Sequence, residues 1–322
     1  MPLRYRVVLT DRAWPDANIE REILAGVGAE LVEAPNTQES TLIALCADAD
    51  ALITNWAPVT SRVIESATRC RVISRSGIGL DNIAVETATR LKVLVTNVPD
   101  YCVAEVADHT LALILACARK IAFYHARTKR GEYRLAEGPP MHRLDRQTLG
   151  LVGLGRIARN LVPKARALGL NVVAQTRSMN SGGIDCRMVD FGELLAISDF
   201  VSLHLPLTPE TQHLFGPHEF ERMKPTAYLI NTSRGGLVAS DALWQALQAR
   251  QIAGAALDVF SPEPPDLTLP LYCDERVIIT PHAAFVSVES IADLRTRVAQ
   301  QVADVLCGHR PKNVVNLPQN DS

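Results

Sequence analysis

The chain has 322 residues, which is long enough for two globular domains. Hydrophobic residues make up 47% of it and charged residues 21%, so ample apolar material is present for buried cores. The formal net charge is −2, which gives no electrostatic reason to expect a nucleic-acid-binding or a membrane-binding surface.

The cysteines and the N-terminal residues indicate a cytoplasmic protein. The seven cysteines include no CxxC pair, which favours free thiols in a reducing compartment over a disulfide framework. The first residues, MPLRYRVVLT, have the pattern of a strand rather than of a signal peptide. The longest apolar run, LALILACA at 111–118, is too short to span a bilayer.

Short β-branched segments alternate with helical segments over the first hundred residues. The predicted strands are RVVLT (6–10), AELVEA (29–34), ALITN (51–55), RVISRS (71–76) and VLVTN (93–97). The predicted helices lie near Ile19–Gly26, Thr41–Ala47, Thr60–Ala67 and Asn82–Thr89. This alternation indicates a parallel sheet covered by helices on both faces.

A helix is predicted next, and it could join two domains. Pro99 and Asp100 are helix-start residues, and apolar residues then recur with helical spacing from Val103 to Ala118. A charged, loop-like stretch containing EGPP (137–140) follows.

A second alternating series begins at Thr148. Its predicted strands are LGLVG (149–153), NVVAQ (171–175), DFVSLHLP (199–206), AYLINTS (227–233), AGAALDV (253–259) and RVIITPH (276–282). Its predicted helices are Arg156–Leu168, a helix opened and capped by Ser240 and Asp241, and a last helix from Ser287 to Leu306 before a polar tail.

The stretch LGLVGLGRIA contains a glycine loop between a strand and a helix. Gly153 makes the tight turn, and Gly155 lets the backbone approach a pyrophosphate at the helix N-terminus. Ala158 replaces the third glycine, whose main role is close helix–strand packing. The plainer interpretation is a βαβ turn without a ligand, and the motifs downstream favour dinucleotide binding over it.

The end of the next strand lacks the acidic residue that usually binds a ribose 2′-hydroxyl. Thr176 stands there and Arg177 follows it. A hydroxyl and a cation suit a 2′-phosphate better than a diol, so the sequence favours NADP over NAD. The alternative is that Arg177 is an ordinary solvent-facing arginine.

Three further motifs fall at predicted strand ends, where open α/β sheets bind ligands. INTSRGGLV contains Arg234, ALDVFSPEPP contains Asp258 and Glu263, and ITPHAAF contains His282. Each residue alone would more often be structural: a surface arginine, a turn cap, a solvated glutamate or a packed loop histidine. Their order after a glycine loop favours a catalytic set.

Together these motifs resemble the D-2-hydroxyacid dehydrogenase family over nearly the whole chain, and within it the C-terminal-binding protein-like branch. The resemblance is carried by SGIGLDNI, NVPDYCVAEVADHTLAL, TLGLVGLGRIA, VSLHLPLTPET, NTSRGGLV, AALDVFSPEPP and TPHAAF, in that order. Phe285 departs from the tryptophan common in the co-repressors of that branch, which points to a substrate pocket of different size.

The resemblance implies a role for each catalytic residue. Arg234 would bind the substrate carboxylate, and His282 would exchange a proton with the substrate oxygen as hydride moves. Glu263 would fix the tautomer of His282 and stabilise its imidazolium form. The backbone amides of Ile78 and Gly79 would complete the carboxylate site. Catalysis would require both domains to close on the substrate.

The resemblance also implies the cofactor contacts. Pyrophosphate, adenosine, nicotinamide ribose and carboxamide contacts would come from Gly153, Leu154, Gly155, Arg156, Ile157, Thr176, Arg177, Leu205, Pro206, Thr211, Thr232, Ser233, Asp258 and His282. His109 and His204 lie on apolar stretches and are interpreted as structural, and the spacing of His, Cys, Asp and Glu predicts no metal site.

The implied architecture is α/β, with two doubly wound parallel-sheet domains. A discontinuous, flavodoxin-like substrate domain would comprise 1–98 and 286–322, and a Rossmann-type NAD(P)-binding domain would comprise 99–285. A homodimer is expected. The implied activity is NAD(P)-dependent interconversion of a 2-keto acid and a D-2-hydroxy acid. The alternatives are a dinucleotide-sensing, co-repressor-like interaction protein and a dehydrogenase of another small acid such as phosphite.

Overall fold

A computed structural model describes residues 4–136 and 138–316. Residues 1–3, residue 137 of the EGPP stretch and residues 317–322, the end of the predicted polar tail, lie outside the described residues. The chain divides into two compact units, Met1–Tyr101 with Ser287–Ser322, and Cys102–Val286. Among the described residues, no helix combines the length and the apolar character that a membrane crossing requires.

The first unit contains a five-stranded parallel sheet. Its strands are β1 (Tyr5–Leu9), β2 (Ala29–Glu33), β3 (Ala51–Thr54), β4 (Val72–Arg75) and β5 (Leu94–Thr96). Its helices are α1 (Asn18–Ala25), α2 (Glu39–Cys46), α3 (Ser61–Ser66), α4 (Val85–Arg90) and, from the end of the chain, α12 (Val288–Leu306). The strand order is β2-β1-β3-β4-β5, which is the flavodoxin-like order.

The core of the first unit lies on both faces of this sheet. Val7 and Leu9 of β1 pack in a cluster with residues of α1 and α12, whereas Val8 packs in a second cluster with residues of α2 and α3. Successive side chains of a strand point to opposite faces, so a continuous run of β-branched residues fills both layers.

The second unit contains a seven-stranded sheet. Its strands are β6 (Thr148–Val152), β7 (Asn171–Gln175), β8 (Arg187–Met188), β9 (Phe200–Leu203), β10 (Tyr228–Asn231), β11 (Gly254–Leu257) and β12 (Val277–Ile279). Its α-helices are α5 (Val103–Arg119), α6 (Ile121–Lys129), α7 (Arg156–Ala167), α8 (Phe191–Ile197), α9 (Pro217–Arg222), α10 (Ser240–Gln248) and α11 (Pro270–Cys273).

The strand order of the second sheet is β12-β11-β10-β9-β6-β7-β8, and every pairing is parallel. The order reverses at β6, which lies between β7 and β9. A reversal of this kind opens a crevice at the carboxyl ends of the strands, where doubly wound sheets bind ligands. The predicted fold class, two parallel-sheet α/β domains, is confirmed.

Three local predictions need correction. Helix α5 begins at Val103 rather than at Asp100, with Cys102 as its N-cap residue; the Asp100 carboxylate pairs with Arg297 of α12 at 2.6 Å. The stretch after Lys120 begins with a helix, α6, rather than a loop; none of its residues is buried, so its sequence carries no apolar periodicity.

The third correction concerns α10 (Ser240–Gln248), which has no side-chain cap at its start. Ala239 is its extended N-cap residue, held by a hydrogen bond from its N–H to the carbonyl of Phe215. Ser240 is therefore the first residue inside the helix.

Candidate active site

The residues predicted to be catalytic follow three neighbouring strands of the second sheet. Arg234 comes after β10, Glu263 after β11 and His282 after β12. The carboxyl ends of parallel strands lie at one edge of a sheet, so the topology brings these three loops together.

The His282 imidazole and the Glu263 carboxylate are hydrogen-bonded to each other. The His282 Nδ1 atom lies 2.8 Å from one Glu263 carboxylate oxygen, and the other oxygen accepts the Phe260 N–H at 2.8 Å. Burial raises the pKa of Glu263, but the hydrogen bond and the charge of His282, the Phe260 N–H and the charge of Arg234 outweigh it and lower that pKa. Glu263 is therefore a carboxylate at neutral pH, and its contact with Nδ1 fixes the orientation of the His282 ring.

Arg234 occupies a tight loop beside this pair. Its Nη1 donates to the Ser233 carbonyl at 2.7 Å, and its own carbonyl accepts from the Asn231 side chain at 2.9 Å. A Cβ on the following Gly235 would lie 2.0 Å from the Phe260 carbonyl carbon, so only glycine permits this approach of the two loops. The sequence RGG thus holds a guanidinium near the Glu263 carboxylate.

Asp258 is fully buried beneath the turn that carries His282. Its carboxylate accepts the Ala283 and Ala284 N–H groups, both at 2.9 Å, and its main-chain carbonyl accepts the His282 N–H at 2.8 Å. His282 has a φ of +51°, a left-handed conformation that is unfavourable for a residue with a side chain. These bonds offset that cost and hold the turn in place.

The glycine loop between β6 and α7 has the shape that a pyrophosphate requires. Gly153 has a φ of +95°, and a Cβ there would lie 2.5 Å from the His204 carbonyl oxygen. A Cβ on Gly155, the N-cap residue of α7, would meet nothing within 4 Å. That open space in front of a helix N-terminus fits a diphosphate group, whose negative charge the helix dipole favours. Ala158 is buried against the sheet, which suits a packing position.

The remaining predicted cofactor residues surround this loop at the ends of β7, β9 and β10. The Thr211 hydroxyl donates to the Pro206 carbonyl at 2.7 Å, the Ser233 hydroxyl donates to the Leu203 carbonyl at 2.6 Å, and the Thr232 hydroxyl lies 2.8 Å from that of Thr110. These three hydroxyl groups thus bind the protein itself and shape the loops.

The two predicted substrate residues of the first unit lie in the turn after β4. The Asn97 side chain donates to the Ile78 carbonyl at 2.7 Å, and Ile78 and Gly79 are half-buried. Sequence analysis did not single out Arg75, the last residue of β4, which is buried below this turn: a Cβ on Gly77 would lie 1.2 Å from its Nη1. The signal was a charged residue at the end of a buried strand.

His204, interpreted from sequence as structural, is half-buried and lies beside the glycine loop. Burial lowers its pKa to about 4, so it is neutral, and its Nε2 lies 2.9 Å from the Ser202 hydroxyl.

Among residues 4–136 and 138–316, no group of three or more His, Cys, Asp or Glu side chains is placed to hold a metal ion.

Two curated relatives align with this chain over most of its length. A D-3-phosphoglycerate dehydrogenase from Methanocaldococcus jannaschii is 39% identical over 97% of this chain, which spans 60% of that protein's length. A glyoxylate reductase from Korarchaeum cryptofilum is 37% identical over 88% of this chain and 87% of its own length.

Solved structures share the fold. A D-lactate dehydrogenase from Aquifex aeolicus, complexed with NAD and lactic acid, is 27% identical with a TM-score of 0.88, and the match covers 97% of this chain and 100% of that one. An acyclic imino acid reductase complexed with NADPH and D-Arg is 26% identical with a TM-score of 0.85, over 96% and 99% of the two chains.

The family model for the NAD-binding domain of D-isomer-specific 2-hydroxyacid dehydrogenases matches residues 111–284, which span the glycine loop and the three strand ends that carry Arg234, Glu263 and His282. The chain therefore belongs to the D-isomer-specific 2-hydroxyacid dehydrogenase family.

Proposed function

We propose that the protein is an NAD(P)-dependent dehydrogenase that interconverts a 2-keto acid and a D-2-hydroxy acid. The observation that carries the proposal is the hydrogen-bonded pair of His282 and Glu263, 2.8 Å apart, with Arg234 in the neighbouring loop. An acid–base histidine fixed by a carboxylate, next to a cation suited to a carboxylate, matches the needs of keto-acid reduction.

Arg234, His282 and Glu263 each have a separate role in the proposed reaction. Arg234 binds the substrate carboxylate and orients the keto group. A bound nicotinamide supplies the hydride in reduction and accepts it in oxidation. Nε2 of His282 gives its proton to the keto oxygen in reduction and takes the hydroxyl proton in oxidation. Glu263 keeps Nδ1 protonated and stabilises the imidazolium form.

The stereochemistry of oxidation tests this proposal. Purified protein with NAD or NADP is offered the two enantiomers of lactate and of glycerate, and reduced cofactor is followed by absorbance. The proposal predicts turnover of the D-enantiomers and none of the L-enantiomers. Equal rates for both enantiomers would reject a stereospecific site.

Glu263→Gln is expected to lower kcat by about 10- to 100-fold, the scale of one charge-assisted hydrogen bond of about 1.5–3 kcal/mol. Because glutamine carries no charge, the imidazolium form of His282 is stabilised less. The pH at which oxidation reaches half its maximal rate should therefore fall. A pH–rate profile of the variant that overlies the wild-type profile would contradict the pairing.

We propose NADP as the preferred cofactor, since Thr176 and Arg177 stand where an acidic residue would bind the ribose. Glu210, in the loop after β9, is expected to oppose this preference, because its carboxylate is negatively charged and interacts with Arg177. Its pKa is lowered by the hydrogen bond from the Thr208 hydroxyl and, more weakly, by the charge of Arg177. Arg177 and Glu210 therefore interact electrostatically, and a 2′-phosphate on Arg177 would also approach the Glu210 carboxylate.

Arg177→Ala is expected to weaken NADPH binding by about 1–3 kcal/mol and to leave NADH binding nearly unchanged, because only NADPH carries the 2′-phosphate. Glu210→Gln should strengthen NADPH binding selectively. Fluorescence titration of both reduced cofactors measures this, with Arg187→Ala, an exposed arginine of β8, as the matched control. Equal losses for NADH and NADPH in Arg177→Ala would reject the phosphate contact.

We also propose a homodimer, because the apolar side chains of Ile121, Tyr133 and Leu135 are exposed on the second unit. Light scattering with and without cofactor measures the assembly. Cofactor-dependent association together with little turnover would favour the sensing alternative over the enzyme.

A further inference from the structure

Helix α5 (Val103–Arg119) contributes a second histidine to the network beneath the His282 turn. The His109 Nε2 atom lies 3.1 Å from the Thr280 hydroxyl oxygen and 3.6 Å from an Asp258 carboxylate oxygen. The Thr280 hydroxyl lies 2.5 Å from that same Asp258 oxygen. From the sequence alone, His109 is interpreted as a structural residue of an apolar helix.

The direction of these hydrogen bonds follows from the number of protons available. Thr280 has one hydroxyl proton, and it donates that proton to the Asp258 carboxylate, which only accepts. The Thr280 oxygen must then accept the bond from His109, so Nε2 of His109 carries a proton. His109 therefore donates into Thr280, and Thr280 donates into Asp258.

The network ends on the turn that holds His282. The Asp258 carboxylate binds the N–H groups of Ala283 and Ala284, and the Asp258 carbonyl binds that of His282. Loss of the His109 donor removes the bond that holds the Thr280 oxygen in place and weakens the bond that the Thr280 hydroxyl donates to Asp258, because linked hydrogen bonds strengthen one another. The turn, with its left-handed His282, is then held less firmly.

We propose that His109 is a positioning residue for the reaction, which acts through Thr280 and Asp258 to fix the catalytic imidazole of His282. This inference rests on the proposed dehydrogenase function. It predicts that the contribution of His109 appears in kcat and in the ring geometry of His282, not in cofactor affinity. It also predicts that the N–H donor, rather than the imidazole as such, is what the site needs.

His109→Leu removes the donor, and His109→Gln keeps an N–H at nearly the same reach. The expected result is a fall in kcat of about 10- to 100-fold in His109→Leu, as is typical of partners that orient a functional group, with restoration to within a few-fold in His109→Gln. The dissociation constant of the reduced cofactor, from fluorescence titration, should stay within twofold of wild type in both variants.

Thr280→Val removes the middle of the network without touching His109 and should reproduce the kcat loss. Thr280→Val replaces His109→Leu as the test if a melting curve shows that His109→Leu does not fold. A kcat of either donor-less variant within twofold of wild type would overturn the inference, as would failure of glutamine to restore a loss seen with leucine.

Nitrogen-detected magnetic resonance of the histidine rings separates this inference from the proposed function, because it needs no turnover. The His282 ring signals should move in His109→Leu and in Thr280→Val. Unchanged signals in an active enzyme would overturn the inference alone. Wild-type protein without turnover on any 2-keto acid would overturn the proposed function, whatever the ring signals show.

Discussion

Replacement of His282 by alanine is expected to lower kcat for keto-acid reduction by about 10²–10⁴-fold, the usual contribution of a general acid–base group. In the proposed mechanism, Nε2 of His282 gives the proton to the keto oxygen, since Nδ1 lies 2.8 Å from the Glu263 carboxylate. The glycine loop is unchanged by the substitution, so binding of the reduced cofactor should survive. Steady-state rates and fluorescence titration together measure the two effects.

The left-handed backbone of His282 makes a second variant necessary, one that removes the imidazole without straining the turn. Its φ of +51° is strained for alanine, whereas asparagine tolerates the left-handed conformation. His282→Asn should therefore lose as much activity as His282→Ala while keeping the turn. His218→Ala, on the exposed surface of α9, is the matched control and should be fully active. Turnover within a few-fold of wild type in His282→Asn would remove His282 from the mechanism.

Arg234→Gln is expected to lower kcat/KM for a 2-keto acid by about 10²–10³-fold, which corresponds to about 3–4 kcal/mol for the loss of one partner from a buried, hydrogen-bonded charge pair. Glutamine cannot offer the planar, charged fork that binds a carboxylate through two parallel bonds. Arg234→Lys keeps the charge without the fork and should retain part of the activity. Cofactor affinity should change little, because Arg234 follows β10, whereas the glycine loop follows β6.

A substrate analogue isolates the carboxylate contact. When an amide replaces the carboxylate of the keto acid, wild type should lose most of its advantage over Arg234→Gln, because the charge that Arg234 binds is gone. If Arg234→Gln is impaired equally on the acid and on the amide, Arg234 acts on something other than the carboxylate.

The fold was largely predictable from sequence because its physical signals are local. Buried parallel strands appear in the sequence as runs of β-branched residues, and the glycines of the dinucleotide-binding loop occur at a fixed spacing. Helix α6 was missed because none of its residues is buried, so no apolar stripe marks it. The start of α5 was misplaced because Asp100 was taken as a helix-start residue, whereas its carboxylate pairs with Arg297, nearly two hundred positions away.

The candidate site was predictable to the level of its strand-end motifs and no further. Parallel topology places Arg234, Glu263 and His282 at neighbouring strand ends, so their grouping follows from the sequence order. The position of Asp258 beneath the His282 turn does not follow from any spacing. Neither does the bond from His109 to Thr280, which joins residues 171 positions apart. Contacts of this kind depend on tertiary packing, and sequence reasoning had assigned His109 a structural role.

The central claim is tested most directly by the initial rate of reduced-cofactor oxidation. NADH and NADPH are supplied in parallel to the purified protein with glyoxylate, hydroxypyruvate, pyruvate and larger 2-keto acids. We expect clear turnover with at least one keto acid, faster with NADPH than with NADH. Tight cofactor binding without oxidation of either cofactor by any of these acids would contradict the assignment of Arg234, Glu263 and His282 to keto-acid reduction.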